Sequence, residues 1–465
     1  MDTPRIRVTL LLVLSLVIAT PNAFRTLFAE EASQISRISF TRDVAPVLVE
    51  QCQACHGVKT AESSYRLDSY EHLRQPGDYE LAPVTPGSAD ESELFRLISS
   101  DDDDERMPRG RPRLLAHQIA LVREWIEQGA EFDGPDAATP LVRLIPRRPH
   151  PEPPQTYPAA MPITALTFHP DGQSLIVGGY HELTVWDTNI GKLLQRVGNI
   201  AQRTYVVEFN QDGSLLAVGG GSPGRMGELK LIDPSNWAEV LLLETTSDVV
   251  LDLAFDPSSR RLAAAGADGK IRIYEIPSGK LLHTIGCHAD WVTAVDWSQD
   301  GTRLVSSSRD ATAKISDADT GRLLANYTGH DKGVDSVVFH PDGNRVFSGA
   351  RENNIHHWDM TGELFTPTGF DKKGDVISGF GGAVYQLRIA GEHLFSVSAD
   401  RSARQHNLED RELVQVFSGL DSSLHSLDVH AASMRLAAGS YHGHVGIWNV
   451  EEGKLLLDFA ALPGR

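Results

Sequence analysis

Beyond residue 162 the chain repeats itself every 42 to 48 residues, and this limits the available folds more than any other feature. Each unit ends an alternating strand pattern in an aromatic–acid pair or its remnant: Trp186-Asp187, Ile232-Asp233, Tyr274-Glu275, Ser316-Asp317, Trp358-Asp359, His406-Asn407 and Trp448-Asn449. The intervals are 46, 42, 42, 42, 48 and 42 residues. A tight-turn marker, Phe168-His169-Pro170-Asp171-Gly172, recurs as Phe339-His340-Pro341-Asp342-Gly343. A third, Gly191-Lys192-Leu193-Leu194, recurs at Gly279, Gly321 and Gly453. Units of this length hold about four short strands, and no single unit can bury both apolar faces of its own sheet. Only a closed ring of units does so.

The pattern resembles WD-repeat β-propellers. Gly329-His330 fits the dipeptide that opens such repeats, and Cys287-His288 is a variant of it. Seven units imply an all-β seven-bladed propeller over 163–460. The likeness is weak in the second and sixth units, where the tryptophan is lost and extra loop residues intrude. In this family His330, Ser348 and Trp358 would form a hydrogen-bond chain inside one blade, a scaffold rather than a site. Gly219-Gly220-Gly221-Ser222 is glycine-rich but precedes no helix, so it is expected as a loop and not a phosphate cradle.

Near the other end stands Cys52-Gln53-Ala54-Cys55-His56. Two thiols three residues apart, followed at once by an imidazole, is the spacing of covalent c-type haem attachment. Cys52 and Cys55 would form thioethers to the porphyrin, and His56 would be the proximal iron ligand. The competing readings are a redox dithiol and half of a zinc site. Zinc would need a second Cys/His pair, and the remaining cysteine, Cys287, stands alone. Between Phe40 and Gln51 a short helix is expected, with Thr41 as N-cap and Val44, Val47, Leu48 and Gln51 at helical spacing. A second helix, 114–128, carries Leu115, Ile119, Val122 and Ile126 on one stripe and ends at Gly129. The distal ligand should lie between the two. Met107, in Glu105-Arg106-Met107-Pro108, offers a soft thioether; His72 and His117 are alternatives.

Residues 40–48, Cys52 to Gly57, Tyr65-Arg66-Leu67-Asp68, Thr85-Pro86-Gly87-Ser88, Met107-Pro108 and Trp125-Ile126-Glu127-Gln128-Gly129-Ala130 together resemble the planctomycete-type cytochrome c domain. Arg109 departs from it, standing where the family often repeats proline. The resemblance implies a multidomain chain: a small all-α cytochrome c domain over 36–134 with one haem c per chain, then the propeller. Prolines crowd 135–162, which is expected as a stiff linker, with Leu141 to Ile145 as an edge strand.

Arg5 and Arg7 precede an apolar run from Val8 to Ala19, so 1–29 reads as a signal peptide or, if uncleaved, a membrane anchor. Export to the periplasm or cell envelope agrees with the haem motif. The net charge of −19 argues against nucleic acid. The expected role is electron transfer, with propeller loops docking a redox protein partner, and no catalytic residue is identified. The alternatives are a redox enzyme whose haem feeds a second centre on the propeller axis, where histidines abound, and a haem-based sensor.

Overall fold

The computed structural model describes residues 37–57, 61–78, 80–145, 149–360 and 375–464. The expected leader lies outside the described residues, among which no helix is long and apolar enough to cross a membrane.

Residues 37–145 form a unit of short helices. A wide turn, Phe40–Val44, runs into α1 (Ala45–Gln51). There follow α2 (Tyr70–Leu73), α3 (Glu93–Ser99), α4 (Ala116–Glu127) and α5 (Leu141–Leu144). The N-cap is Ser39 rather than Thr41. Its hydroxyl accepts from Arg42 N at 3.0 Å, and its own N–H donates to the Asp43 carboxylate at 3.0 Å. This reciprocal pairing satisfies amides that the first turn leaves free. On α4, Val122, Trp125 and Ile126 are buried, but Leu115 is 60% exposed. It precedes the first helical turn in extended conformation, and so leaves the stripe. Gly129 N donates to Ile126 O and Ala130 N to Trp125 O, each at 2.9 Å, the paired closure that a glycine just past a helix allows. Phe40 packs against Trp125 and Tyr70, with ring centres 5.2 and 5.1 Å apart. The expected edge strand at Leu141–Ile145 is instead the helix α5. Leu141 is fully buried in this same core, so the helical unit extends past the start of the proline-rich stretch.

The remainder is a seven-bladed propeller of seven four-stranded antiparallel sheets. The blades span 166–197, 203–246, 250–285, 292–327, 334–377, 384–417 and 424–460. Every aromatic–acid marker closes the third strand of its blade. The acid is there for the turn that follows: Asp187 Oδ1 accepts from Asn189 N and Ile190 N. Gly191 then takes φ +64°, as Gly279, Gly321 and Gly453 do in their blades, a left-handed conformation that favours glycine. Gly219 to Ser222 is not a loop. It lies in the second strand of blade two, Leu216–Ser222, where a Cβ on Gly220 would stand 2.1 Å from Arg203 O.

Seven apolar cores lie one between each pair of adjacent blades, the burial that an isolated unit lacks. Blades seven and one meet at a seam closed by Tyr157, Ile163, Ala461 and Leu462. There Ile163 N donates to Ser440 O at 3.1 Å and Tyr157 N to Pro463 O at 3.3 Å. The proline-rich stretch is docked on the ring. His150 N donates to Asn199 Oδ1 at 3.0 Å, its Nε2 pairs with Glu228 at 2.8 Å, and Pro154 O accepts from Arg196 at 2.6 Å.

Candidate functional site

Cys52 caps the end of α1, its N–H donating to Leu48 O at 2.9 Å. The chain turns at once: Cys55 N and His56 N both donate to Cys52 O, at 3.2 and 3.1 Å. This turn gathers the two thiols and the imidazole at one end of the helix. Both thiols are free and half-buried.

Tyr65 then fixes His56. The imidazole Nδ1 lies 3.2 Å from Tyr65 O. A carbonyl only accepts, so Nδ1 carries the proton and the Nε2 lone pair is left available. Leu67 N donates to His56 O at 2.7 Å, tying the same two segments together. A histidine whose far nitrogen is held in this way is oriented as a metal ligand, so the donor set fits haem iron. It fits a redox dithiol poorly. Burial, with Cys55 adding to it, pushes the Cys52 thiol up to about 12, whereas a reactive thiol needs a lowered value.

Among the three distal candidates, Met107 packs against the core that Cys52 and Tyr65 also border. Its N–H donates to Leu97 O at 3.0 Å, which anchors the loop on α3. The other two have different roles. His72 turns its Nδ1 to Ser69 Oγ at 2.9 Å, and His117 is exposed at the start of α4. Arginines offset part of the acidic run before Met107: Arg96 holds Glu105, Arg106 holds Asp103 and Arg113 holds Asp101.

In blade five His330 Nε2 lies 2.7 Å from Ser348 Oγ, which accepts from Trp358 Nε1 at 3.3 Å. Glu352 pairs with His330 Nδ1 at 2.6 Å and His356 Nε2 at 2.9 Å. Among the described residues this is a cluster whose ligand atoms are close enough for a metal ion. Its geometry opposes one. The imidazoles stack with centres 3.9 Å apart and planes 17° from parallel, so their in-plane lone pairs do not converge. The remaining His356 nitrogen is taken by Tyr327 OH at 2.8 Å. The cluster is scaffold. Among the described residues, His425 is the histidine in the wall of the axial cavity.

Sequence reasoning passed over two features. Tyr65 was visible only as the start of the Tyr65-Arg66-Leu67-Asp68 segment, and its role is carried by a backbone carbonyl. The carboxylates Glu208, Asp252 and Asp296, which line the axis, stand at inner-strand positions with no marker in the repeat.

Comparison with known proteins agrees with this layout. Residues 52–109 match the family described as Planctomycete cytochrome C. Residues 151–187 and 321–359 match the WD domain, G-beta repeat, and 226–300 match the Anaphase-promoting complex subunit 4 WD40 domain. The chain thus places a planctomycete-type cytochrome c segment ahead of a seven-bladed WD-repeat propeller. Its curated relatives are WD-repeat proteins. Periodic tryptophan protein 2 of Saccharomyces cerevisiae is 29% identical over 123 residues, 26% of this chain and 13% of that protein. WD repeat-containing protein VIP3 of Arabidopsis thaliana is 26% identical over 140 residues, 27% of this chain and 43% of that protein. Nuclear distribution protein PAC1 of Coccidioides posadasii is 29% identical over 152 residues, 30% of this chain and 31% of that protein. In each case the match spans less than half of the relative's length.

Proposed function

We propose that this protein is an exported mono-haem c-type cytochrome that transfers electrons, and that its propeller is the platform on which a protein partner docks. The observation that carries the reading is His56: directly after two thiols at attachment spacing, it is held through Nδ1 by Tyr65 O. Cys52 and Cys55 would hold haem c through thioethers, His56 would be the proximal ligand and Met107 the distal one. Haem so bound supplies a one-electron couple, raised by His/Met ligation. The chain's part is to fix the imidazole tautomer, keep the thioether sulfur against an apolar core, and exclude water with Phe40, Leu48, Leu67 and Trp125. The helical unit would then be a small all-α cytochrome domain, and residues 1–29 the export signal that brings it to the periplasm or cell envelope. Rigid blades carrying variable loops suit a docking role, as in other WD-repeat proteins.

Acidified-solvent extraction of the denatured full-length protein tests the reading. Pigment should stay with the polypeptide, at one haem per chain, and be absent from a Cys52→Ser/Cys55→Ser variant. Pigment that washes out, or none at all, refutes it.

A further inference from the structure

The propeller axis holds a cavity of about 260 Å³ walled by the inner strands. Tyr205, Asp335, Tyr385 and His425 line one end. Glu208 and Arg388 lie three residues further along their strands, about 10 Å at the rise of a β-strand. Between the ends the wall mixes polar Asp252, Ser336 and Gln386 with apolar Val206, Val337 and Leu387.

The axial polar residues have a structural duty. Each accepts a backbone N–H from the next blade: Glu208 from Phe255, Asp252 from Val295, Asp296 from Phe339, Ser336 from Leu387, Gln386 from Leu427 and Asp428 from Phe168, at 2.7 to 3.1 Å. Ser336 and Gln386 do this without charge, so stapling blades does not explain three carboxylates in the wall at blades two, three and four. Counter-charge is short. Among the described residues Arg388 is the one cation in the wall, and its Nη1 lies 3.9 Å from Glu208 Oε2. Asp335 is already paired with Arg351 at 3.0 Å. Glu208 Oε2 is shielded from solvent and has no hydrogen-bond partner among the described residues, and the same is true of Arg388 Nε.

We propose that the axial cavity receives one cationic side chain, a lysine or arginine presented by an extended segment of a partner protein. Its charged tip would lie among Glu208, Asp252 and Asp296, and its methylenes against Val206 and Val337. This rests on the propeller being a docking platform and specifies what docks. The aromatic end suits a polypeptide: the Tyr385 and His425 rings stack at 4.5 Å, Tyr441 lies 5.8 Å beyond His425 and is 53% exposed, and aromatics of this kind dominate protein interfaces. The carboxyls register the missing charge, burial pushing Glu208 up to about 8 and Asp252 and Asp296 up to about 6.

The test uses the full-length protein and labelled octapeptide pools, randomised except for a central arginine, lysine, citrulline or glutamate. Arginine and lysine pools should be retained at least tenfold better than citrulline and glutamate pools. A Glu208→Gln/Asp252→Asn variant, which keeps both stapling acceptors, should hold all four alike; its circular dichroism melt checks the fold. Citrulline retained as well as arginine, no pool retained, or a preference that survives in the variant overturns the proposal. Equal retention of all four pools by the wild type refutes the cavity reading and leaves the docking platform standing. Calorimetric uptake of calcium chloride without an arginine preference overturns it in favour of a metal site.

Discussion

Glu208→Gln should stabilise the propeller, by an amount that grows with pH. Gln keeps the oxygen that accepts from Phe255 N and removes the ionisable group at the unpartnered Oε2. Burial is the largest cause of the shift from 4.5 to about 8, Asp252 and Asp296 add to it, and Arg388 opposes it. A carboxyl raised on folding contributes stability below its unfolded value, and that contribution is lost as pH rises through the folded value. The window is therefore pH 4.5 to 8. At about 1.4 kcal/mol per unit the full shift is worth about 5 kcal/mol. The side chain keeps 20% exposure, so solvent screening reduces this to about 2 kcal/mol. For a domain of this size that is roughly 5 °C in Tm. Melts followed by circular dichroism at pH 5, 7 and 9 should show the variant level with wild type at pH 5 and above it at pH 9. A difference of the same size at all three values would refute the reasoning.

Met107→Ala should abolish the far-red sulfur-to-iron band of the oxidised protein while leaving pigment covalently attached; a band that persists moves the distal ligand elsewhere. His330→Ala removes one partner each from Ser348 and Glu352 inside blade five and should cost about 1 to 3 kcal/mol, measured by urea unfolding, whereas His117→Ala on the exposed start of α4 should cost less than about 0.5 kcal/mol. His150→Ala frees the docked stretch from Glu228 and should speed proteolytic cleavage between 149 and 162 by severalfold, with the blades left intact; an unchanged cleavage rate means the remaining contacts suffice.

The propeller was legible because its markers are turn chemistry. The residue that closes each marker serves a reverse turn, and in four blades a glycine follows in a left-handed conformation, which Trp237 and Arg411 take in blades two and six. Seven markers gave seven blades, including the weak second and sixth, because Asp233 and Asn407 keep the turn. Cys52, Cys55 and His56 were legible for a similar reason: their spacing is the chemistry. What escaped depends on contacts distant in sequence. Ser39 capping needs Asp43 as its reciprocal partner, and the helical state of Leu141–Leu144 is decided by an apolar pocket formed by residues a hundred positions earlier. Tyr65 acts through a carbonyl that any residue could supply. The axial carboxylates are visible only once seven inner strands share one axis.

The seam between the first and last blades has a mechanical side. Among the described residues no strand is shared across it; main-chain bonds from Ile163 and Tyr157 draw the two ends of the ring together. The polypeptide that arrives from the helical unit is fastened first at His150 and Pro154, to blades two and one, and only afterwards reaches that join. A pull on the N-terminal unit is therefore taken up by the flank of the ring before any force reaches its closure, so the two halves can be tugged apart some distance without the ring springing open.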